Sequence, residues 1–477
     1  MHAIGQSLAI GPIFSAGLLT GIVAGLAGFN TPASVLLASV GMIGLAYVIS
    51  LYARRYAGAG AMYEYVARGG HRGVGVYAAG IYSVGLLFLG GGTVFVAIGY
   101  FANSFVVTHL SIHIPWWIWG AFGLLVATAA NHFGVRVAIR LVLTLCALST
   151  IPFLILVVVI IAQGGVGGNT LSVFNPGQTS WNAVFNGILI AVTLFIGFEV
   201  AASLGEETQS PRKSIPIAVI GSVALAAIFY LAVTYAATIG FGKAGIAQWA
   251  ALPDPMGTLA SRYVGSGLAT IIQLVIILDA VSVATAFTVA ASRILLTLSS
   301  DGLLPKALQS TTSRDTPLGG NLVVVASGTA ALIFGATTHY GVPLKVPNPV
   351  EAFSLLAQAG SYLIEAVYLV LAVFAFRFLM HDGNRRALIW RLPLLVAALA
   401  TPVLAFKGSL DPWPTFPANR AVIYAAIWLG IAALWFGYLR VRYPERIATA
   451  AEHATEHGGV PPLDETLQFK PEPERTL

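Results

Sequence analysis

The sequence has few charged residues and almost no cysteine. Asp, Glu, Lys and Arg make up 9% of its 477 residues, whereas they make up roughly 25% of an ordinary soluble protein. The single cysteine, Cys146, cannot form an intrachain disulfide or a cysteine metal cluster, and its position inside an apolar run indicates a packed thiol. These shortages exclude an ordinary soluble domain and a scaffold held by disulfides within the chain.

Motifs that support catalysis or ion conduction are also missing from the sequence. It contains no zinc-ligand helix, no nucleophile elbow and no phosphate loop, because the three glycines at 90–92 lie in an apolar run without a following lysine. His109, His113 and His132 are isolated and lack metal-ligand spacing. No repeated filter sequence indicates a channel. We therefore expect no enzyme activity, no metal site and no cofactor.

Long apolar runs are what the sequence has in abundance. Hydrophobic residues make up 57% of the chain, and runs of about 20 apolar residues have the length needed to cross a bilayer as helix. We therefore predict an all-α membrane protein with about 12 transmembrane helices. The twelve runs cover about 3–28, 33–53, 74–106, 114–132, 136–163, 181–204, 214–241, 257–298, 320–338, 350–379, 388–407 and 418–439.

The basic residues predict an orientation in the membrane. If both termini are cytoplasmic, 20 of the 25 Lys and Arg residues lie on the cytoplasmic side, which agrees with the positive-inside rule. The net charge of +6 then reflects topology and contact with anionic lipid headgroups rather than nucleic-acid binding. We expect a multi-pass protein of the cell membrane. The five basic residues on the outer side would be Lys243, Arg262, Lys345, Lys407 and Arg420.

Two of the apolar runs contain residues that interrupt a helix. In the first run Pro12 lacks a backbone donor and clashes with the preceding turn, and the glycines beside it permit unwinding. In the sixth run Gly197 is followed by Phe198 and the carboxylate of Glu199. A charge in the hydrocarbon region is costly and is rarely kept without a role. The two interruptions therefore indicate unwound backbone that contacts a ligand.

The two interruptions occupy matching positions in the chain. Each falls in the first run of a set of five, as inverted repeats of secondary carriers do. We predict a five-plus-five inverted repeat over 1–165 and 178–380, two additional helices over 388–441, and a polar cytoplasmic tail over 444–477. The binding site would lie between the broken helices near the middle of the membrane.

Free backbone groups at the two interruptions would suit a zwitterion. The second half of the first helix would present N–H groups and a positive dipole end to a carboxylate. The first half of the sixth helix would end in free carbonyl groups suited to an ammonium. The alternative is that glycine and proline serve only helix packing, as they often do in membranes.

The residues around the interruptions resemble the amino acid–polyamine–organocation superfamily, specifically its amino-acid permeases. The Gly-Phe-Glu sequence at 197–199, with Glu-Glu at 206–207 and Pro-Arg at 211–212, is similar to the family's sixth helix and the following loop. Residues 290–295 and 301–305 resemble its eighth helix and exit. Residues 57–66 resemble the loop that enters its third helix.

The resemblance implies alternating access and a set of site residues. Backbone amides of four residues would face the substrate carboxylate. A second set of five residues would complete the site, with Thr193, Phe195 and Ile196 around the amine and Phe198 packed nearby. Many relatives have a bulky aromatic residue where this chain has Thr193, so the resemblance implies a roomier pocket or the loss of that gate. The first set is Ile13, Phe14, Ser15 and Ala16, and the second is Thr193, Phe195, Ile196, Gly197 and Phe198.

Residues for ion coupling or gating are suggested by their position within the spans. Glu199, Asp279 and Glu365 are carboxylates in predicted helices, so each is a candidate proton site. Two further readings of Asp279 stay open. It would bind a cationic side chain, or its carboxylate would accept hydrogen bonds from a neighbouring helix. Ser282 matches one hydroxyl of the sodium site of some relatives, and Val283 stands at the other. Coupling to H⁺ and coupling to Na⁺ both stay open.

These patterns together predict a secondary active transporter for amino acids or related amines. Its partners would be this small molecule and membrane lipids. A polyamine or organocation carrier and a nutrient sensor with the same fold are the alternatives.

Overall fold

The computed structural model describes residues 11–56, 62–70, 72–207, 210–313, 316–338, 348–381, 385–448 and 450. Over these ranges the chain forms helices and turns, and the one β-type pairing there is an isolated bridge between Thr311 and Pro317. The longer helices are α1 Pro12–Ala27, α2 Thr31–Ala53, α3 Met62–Gly69, α4 Arg72–Phe88, α5 Val94–Leu110, α6 Trp116–His132, α7 Val135–Gln163 and α8 Trp181–Thr193. They continue with α9 Pro211–Phe241, α10 Ile246–Ala251, α11 Pro255–Tyr263, α12 Ser266–Ser300, α13 Leu318–Thr337, α14 Asn348–His381, α15 Arg385–Leu410 and α16 Asn419–Arg442.

The helices confirm the predicted all-α membrane class. Ten helical segments within the described ranges are long and apolar enough to cross a membrane. The first of them, Pro12–Ala53, contains both α1 and α2, which are joined by a short turn of 3-10 helix at Gly28–Asn30. Helix α6 has 17 residues and coincides with the predicted fourth run. Each of the twelve predicted runs therefore coincides with helix in the described part of the chain.

Large apolar side chains cover much of the outer surface. Val158 of α7, Leu225 of α9 and Leu434 of α16 are each more than three-fifths exposed. Lipid can cover such side chains. The backbone of a helix needs no partner from outside, because the hydrogen bonds within the helix satisfy its N–H and C=O groups. The exposed apolar surface therefore fits a bundle surrounded by hydrocarbon.

The eighth predicted run, 257–298, is divided into two helices. Helix α11 is capped by Asp254, whose Oδ1 accepts a hydrogen bond from the Gly257 amide at 2.9 Å. Gly265 lies between α11 and α12 with φ 140°, a conformation that favours glycine. Burial raises the pKa of the Asp254 carboxyl in this loop. The continuous apolar pattern of this run did not predict the division. The local signals were Pro255 at the start of α11 and Gly265 after its end, which are typical of a helix start and a helix stop.

The sixth predicted run contains the interruption that its sequence indicates. Helix α8 ends at Thr193, residues 194–197 form turns, and a 3-10 helix covers Phe198–Glu207. Gly197 at the centre has φ 120°. This break is therefore confirmed.

The first predicted run is described only from its interruption onward. Gly11 has φ 55°, and α1 begins at Pro12. The predicted first half of this helix falls within 1–10, which lies outside the described residues. The first five residues of the 57–66 motif also lie outside them, and so do residue 449 and residues 451–477 of the tail. The inverted relation of the two five-helix sets stays a prediction.

A turn of π-helix at Leu89–Thr93 links α4 and α5. It contains the three consecutive glycines, and a Cβ at Gly90 would collide with the Phe287 side chain of α12. Gly90 therefore allows this turn to approach α12 closely. Turns of π-helix often occur at functional sites, and this one borders the cavity described below.

Candidate functional site

The broken segment after α8 is held by its own glutamate. Oε2 of Glu199 accepts a hydrogen bond from the Gly197 amide at 2.9 Å, and Oε1 accepts one from Tyr82 Oη at 3.4 Å. Glu199 is fully buried. Its carboxylate therefore satisfies a backbone donor that the break would otherwise leave unpaired in the membrane interior.

The carbonyl groups at the end of α8 also have donors within the protein. Tyr230 of α9 donates from Oη to the Leu194 carbonyl oxygen at 2.7 Å. The Phe195 and Ile196 amides donate to the carbonyl oxygens of Val192 and Thr193. A carbonyl oxygen has two lone pairs, so one hydrogen bond within the protein does not use its full capacity as an acceptor.

The start of α1 is occupied by a carboxylate from a distant helix. Oδ2 of Asp279, in α12, accepts hydrogen bonds from the Ile13 amide at 3.0 Å and the Phe14 amide at 2.8 Å. The Ser15 amide donates to the Gly11 carbonyl oxygen at 2.9 Å. The amides of Ile13 and Phe14, predicted to face a substrate carboxylate, thus bind the side chain of Asp279 in this structure.

A cavity of about 40 Å³ lies between the start of α1 and the break after α8. It brings together Phe14 and Ser15 from α1 with Thr193 and Ile196 from the end of α8. Thr193 is positioned by a hydrogen bond between its Oγ1 and Oγ of Ser361 in α14, at 2.7 Å. The other lining residues are Leu19, Leu89, Thr93, Val94, Val283, Phe287, Phe353 and Ala357.

The remaining predicted substrate residues lie around the cavity and do not line it. Phe195 packs edge-to-face against the Tyr230 ring, with ring centroids 5.1 Å apart. Phe198 packs against Tyr368 at 6.3 Å. Ile13, Ala16 and Gly197 are likewise absent from its lining. These residues shape the interruptions and their packing.

The predicted coupling residues are separated by the fold. Ser282 donates from Oγ to the Val142 carbonyl oxygen of α7 at 3.2 Å. Asp279 lies at the start of α1, and Glu199 lies at the break after α8, so the two carboxylates serve different interruptions. Within the described residues no group of three His, Cys, Asp or Glu side chains is placed to hold a metal ion.

A larger cavity, of about 520 Å³, lies between the start of α4 and the end of α16. Gly73, Tyr77 and Phe436 are part of its mainly apolar lining, which also includes Arg440. It contains no residue of either interruption. We therefore place the candidate site at the smaller cavity, where the two breaks converge.

Sequence reasoning missed two residues that position the breaks. Tyr230 lies beside Ser15 and donates to the Leu194 carbonyl oxygen, so it connects both interruptions. Tyr82 donates to Glu199 from α4. A hydroxyl group inside an apolar run is the signal that both tyrosines share, but only packing reveals the acceptor.

Glu365 of α14 is a buried carboxylate with no partner in the described part of the chain. It is fully buried, and neither Oε1 nor Oε2 has a hydrogen-bond donor there. Because an unsatisfied buried polar group costs about 1–3 kcal/mol, Glu365 lowers the stability of the packed bundle. The sequence predicted that Glu365 lies within a transmembrane helix, but it did not predict which groups would contact its carboxylate.

We expect Glu365→Gln to raise the melting temperature of the purified protein by roughly 2 °C at pH 8. The amide keeps the shape of the side chain, and it removes the cost of holding an ionisable group in the interior without a partner, whether that group is buried charged or must first be protonated. Differential scanning fluorimetry in detergent measures the shift. The control is Glu445→Gln, which makes the same charge change at an exposed position. A lower melting temperature for Glu365→Gln would contradict this reading of the site.

The fold and site define a multi-pass, all-α membrane protein whose cavity lies between the start of α1 and the unwound segment after α8. Residues 4–437 match the sequence profile of the amino acid permease family. The chain therefore belongs to this family, and the resemblance predicted from its motifs is confirmed. Its members are permeases rather than enzymes.

Similar individual proteins are also transporters by name. The chain is 25% identical over 267 residues to the branched-chain amino acid permease BcaP of Lactococcus lactis subsp. cremoris, covering 55% of this chain and 53% of the relative. It is 26% identical over 353 residues to the lysine-specific permease LysP of the same organism, covering 68% and 67%. It is 28% identical over 263 residues to the methylthioribose transporter of Bacillus subtilis, covering 49% and 53%. Two of these alignments thus span about half of the relative's length.

Proposed function

We propose that this protein is a secondary active transporter that moves amino acids or related small amines across the cell membrane by alternating access. The observation that supports this best is a cavity that lies between the start of α1 and the break after α8. Phe14 and Ser15 come from α1, and Thr193 and Ile196 come from the break. Such a cavity between broken helices is the usual substrate position in secondary carriers.

The small size of the cavity fits a carrier that rearranges to bind its substrate. Its volume of about 40 Å³ is well below the roughly 300–1,000 Å³ of ordinary ligand pockets. An amino acid therefore enters only after the surrounding helices separate. Because α1 and the end of α8 supply part of the lining, movement of these elements relative to α5 and α12 would open it.

The comparisons support the substrate class at the level of the family. Relatives named for branched-chain amino acids, lysine and methylthioribose differ in the side chain or in the whole ligand. What the first two share is an α-amino acid backbone. We propose further that the protein is placed in the cell membrane with both termini cytoplasmic, contacts membrane lipids, and couples transport to H⁺ or Na⁺.

The test is counterflow in proteoliposomes made with the full-length protein. Vesicles loaded with unlabelled amino acids or amines should accumulate the labelled ligand transiently, and a sodium or pH gradient should change its net uptake. A ligand that raises the melting temperature by mass action without counterflow would identify a nutrient sensor and overturn the transport proposal. Empty vesicles and a Gly197→Val protein provide the controls.

A further inference from the structure

The donors at the start of α1 are already in use. Pro12 has no amide hydrogen, the Ile13 and Phe14 amides donate to Asp279 Oδ2, and the Ser15 amide donates to Gly11. A helix N-terminus attracts one anion through these groups and its dipole. Asp279 therefore occupies the position that a substrate carboxylate would take, and it does so from the middle of α12.

The second oxygen of the same carboxylate is unpaired among the described residues, although Asp279 itself is not part of the cavity lining. Oδ1 of Asp279 is buried and has no hydrogen-bond partner in the described part of the chain, and the whole side chain is fully buried. An ionised carboxylate is an acceptor only, with room for several hydrogen bonds. Donors on the ligand would complete this shell, and an ammonium group supplies three of them together with the opposite charge.

The cavity next to Asp279 also favours a cation. Phe14, which donates its amide to Asp279, lines the cavity and meets Phe353 edge-to-face with ring centroids 6.0 Å apart. Val283, one turn after Asp279, lines it as well. Aromatic faces attract cations, whereas a second carboxylate against the same amides would meet Asp279 as a like charge, which disfavours the charged forms of both groups.

We propose that Asp279 is a built-in carboxylate of the substrate site, so that the preferred ligand is an organic ammonium ion without a carboxylate of its own. This proposal depends on the proposed function, because it concerns the same cavity. It gives Asp279 a role in specificity: the protein supplies the anion that an α-amino acid would otherwise bring. Repulsion between the Asp279 carboxylate and the carboxylate of an amino acid would disfavour ligands that carry both charges.

Two ligand pairs that differ only in the carboxylate test this proposal. Leucine is compared with isoamylamine, and lysine with cadaverine, by thermal shift and by counterflow with the full-length protein. The wild-type protein should be stabilised by the amine of at least one pair at concentrations where the amino acid has no effect. Stabilisation by an amino acid but not by its amine would overturn the proposal and leave the transport function intact. No response to either class, by shift or counterflow, would overturn both.

Variants at Asp279 give a second and more specific result. Asp279→Ala should weaken amine binding by about tenfold or more, because one charge-assisted contact is lost, and should allow the parent amino acid to bind the freed amides. Acetate should restore amine binding to this variant, and not to the wild type. Asp279→Asn, which preserves the shape, serves if the alanine variant does not fold and should also weaken amine binding.

The matched control is Thr288→Ala in the same helix. Thr288 is buried and donates from Oγ1 to the Ala284 carbonyl oxygen, away from the cavity lining. Its removal should leave the preference between amine and amino acid unchanged. Amine affinity that is equal in the wild type and in both Asp279 variants would refute the assignment.

Discussion

Replacing Gly197 with valine should abolish ligand binding while the protein remains folded in detergent. The glycine has φ 120° at the break after α8, and a β-branched residue in such a conformation is strained by about 1–3 kcal/mol. The turn at 194–197 would rearrange to relieve this strain, and the carbonyl groups beside the cavity would move. Binding is measured by thermal shift with the ligand found in the wild type.

The control for this variant is a glycine that has space for a side chain. A Cβ at Gly221 in α9 would meet no atom within 4 Å, so Gly221→Val changes composition equally without strain. It should bind ligand as the wild type does. Unchanged affinity in Gly197→Val would show that the broken segment is not the binding element, and would remove the main support for the site.

Glu199→Leu should be the most destabilising single change at the site. It leaves the Gly197 amide and the Tyr82 hydroxyl without their acceptor, and each buried unsatisfied group costs about 1–3 kcal/mol. We expect a loss of stability of about 2–4 kcal/mol, seen as a clear drop in melting temperature, together with loss of binding.

Glu199→Gln separates hydrogen bonding from charge. Its Oε1 can still accept from Gly197, and Tyr82 can accept from its amide group, so the melting temperature should stay close to that of the wild type. The pH dependence of transport should change if Glu199 takes part in coupling.

Equal stability of the leucine variant and the wild type would contradict the role of Glu199 at the break.

The transmembrane elements could be predicted because their causes are local. In a bilayer each segment must satisfy its own backbone, so a run of about 20 apolar residues is helix wherever it packs. The break at Gly197 was predictable for the same reason, since glycine permits the unwinding at its own position. The division of the eighth run at Gly265 was missed, because apolar residues continue on both sides of the local signal.

The partners of the polar groups could not be predicted from the sequence. Asp279 was recognised as a carboxylate in a span, but nothing near it in sequence indicates the Ile13 and Phe14 amides, which lie 266 and 265 positions away. Tyr230 meets the Leu194 carbonyl oxygen across 36 positions. Each contact depends on how whole helices pack, and helix packing allows several arrangements of similar energy.

The sequence by itself thus determined the class of protein, the approximate positions of its helices and the glycine at which the sixth predicted run is interrupted. The apolar composition of a segment and the backbone preferences of its glycine and proline residues act within that segment. These features can therefore be predicted from the sequence alone. Only the tertiary structure decided what occupies the interrupted ends. There Glu199 accepts from the Gly197 amide of its own break and Asp279 accepts from amides at the start of α1, because most buried polar groups are paired with donors that packing brings to them.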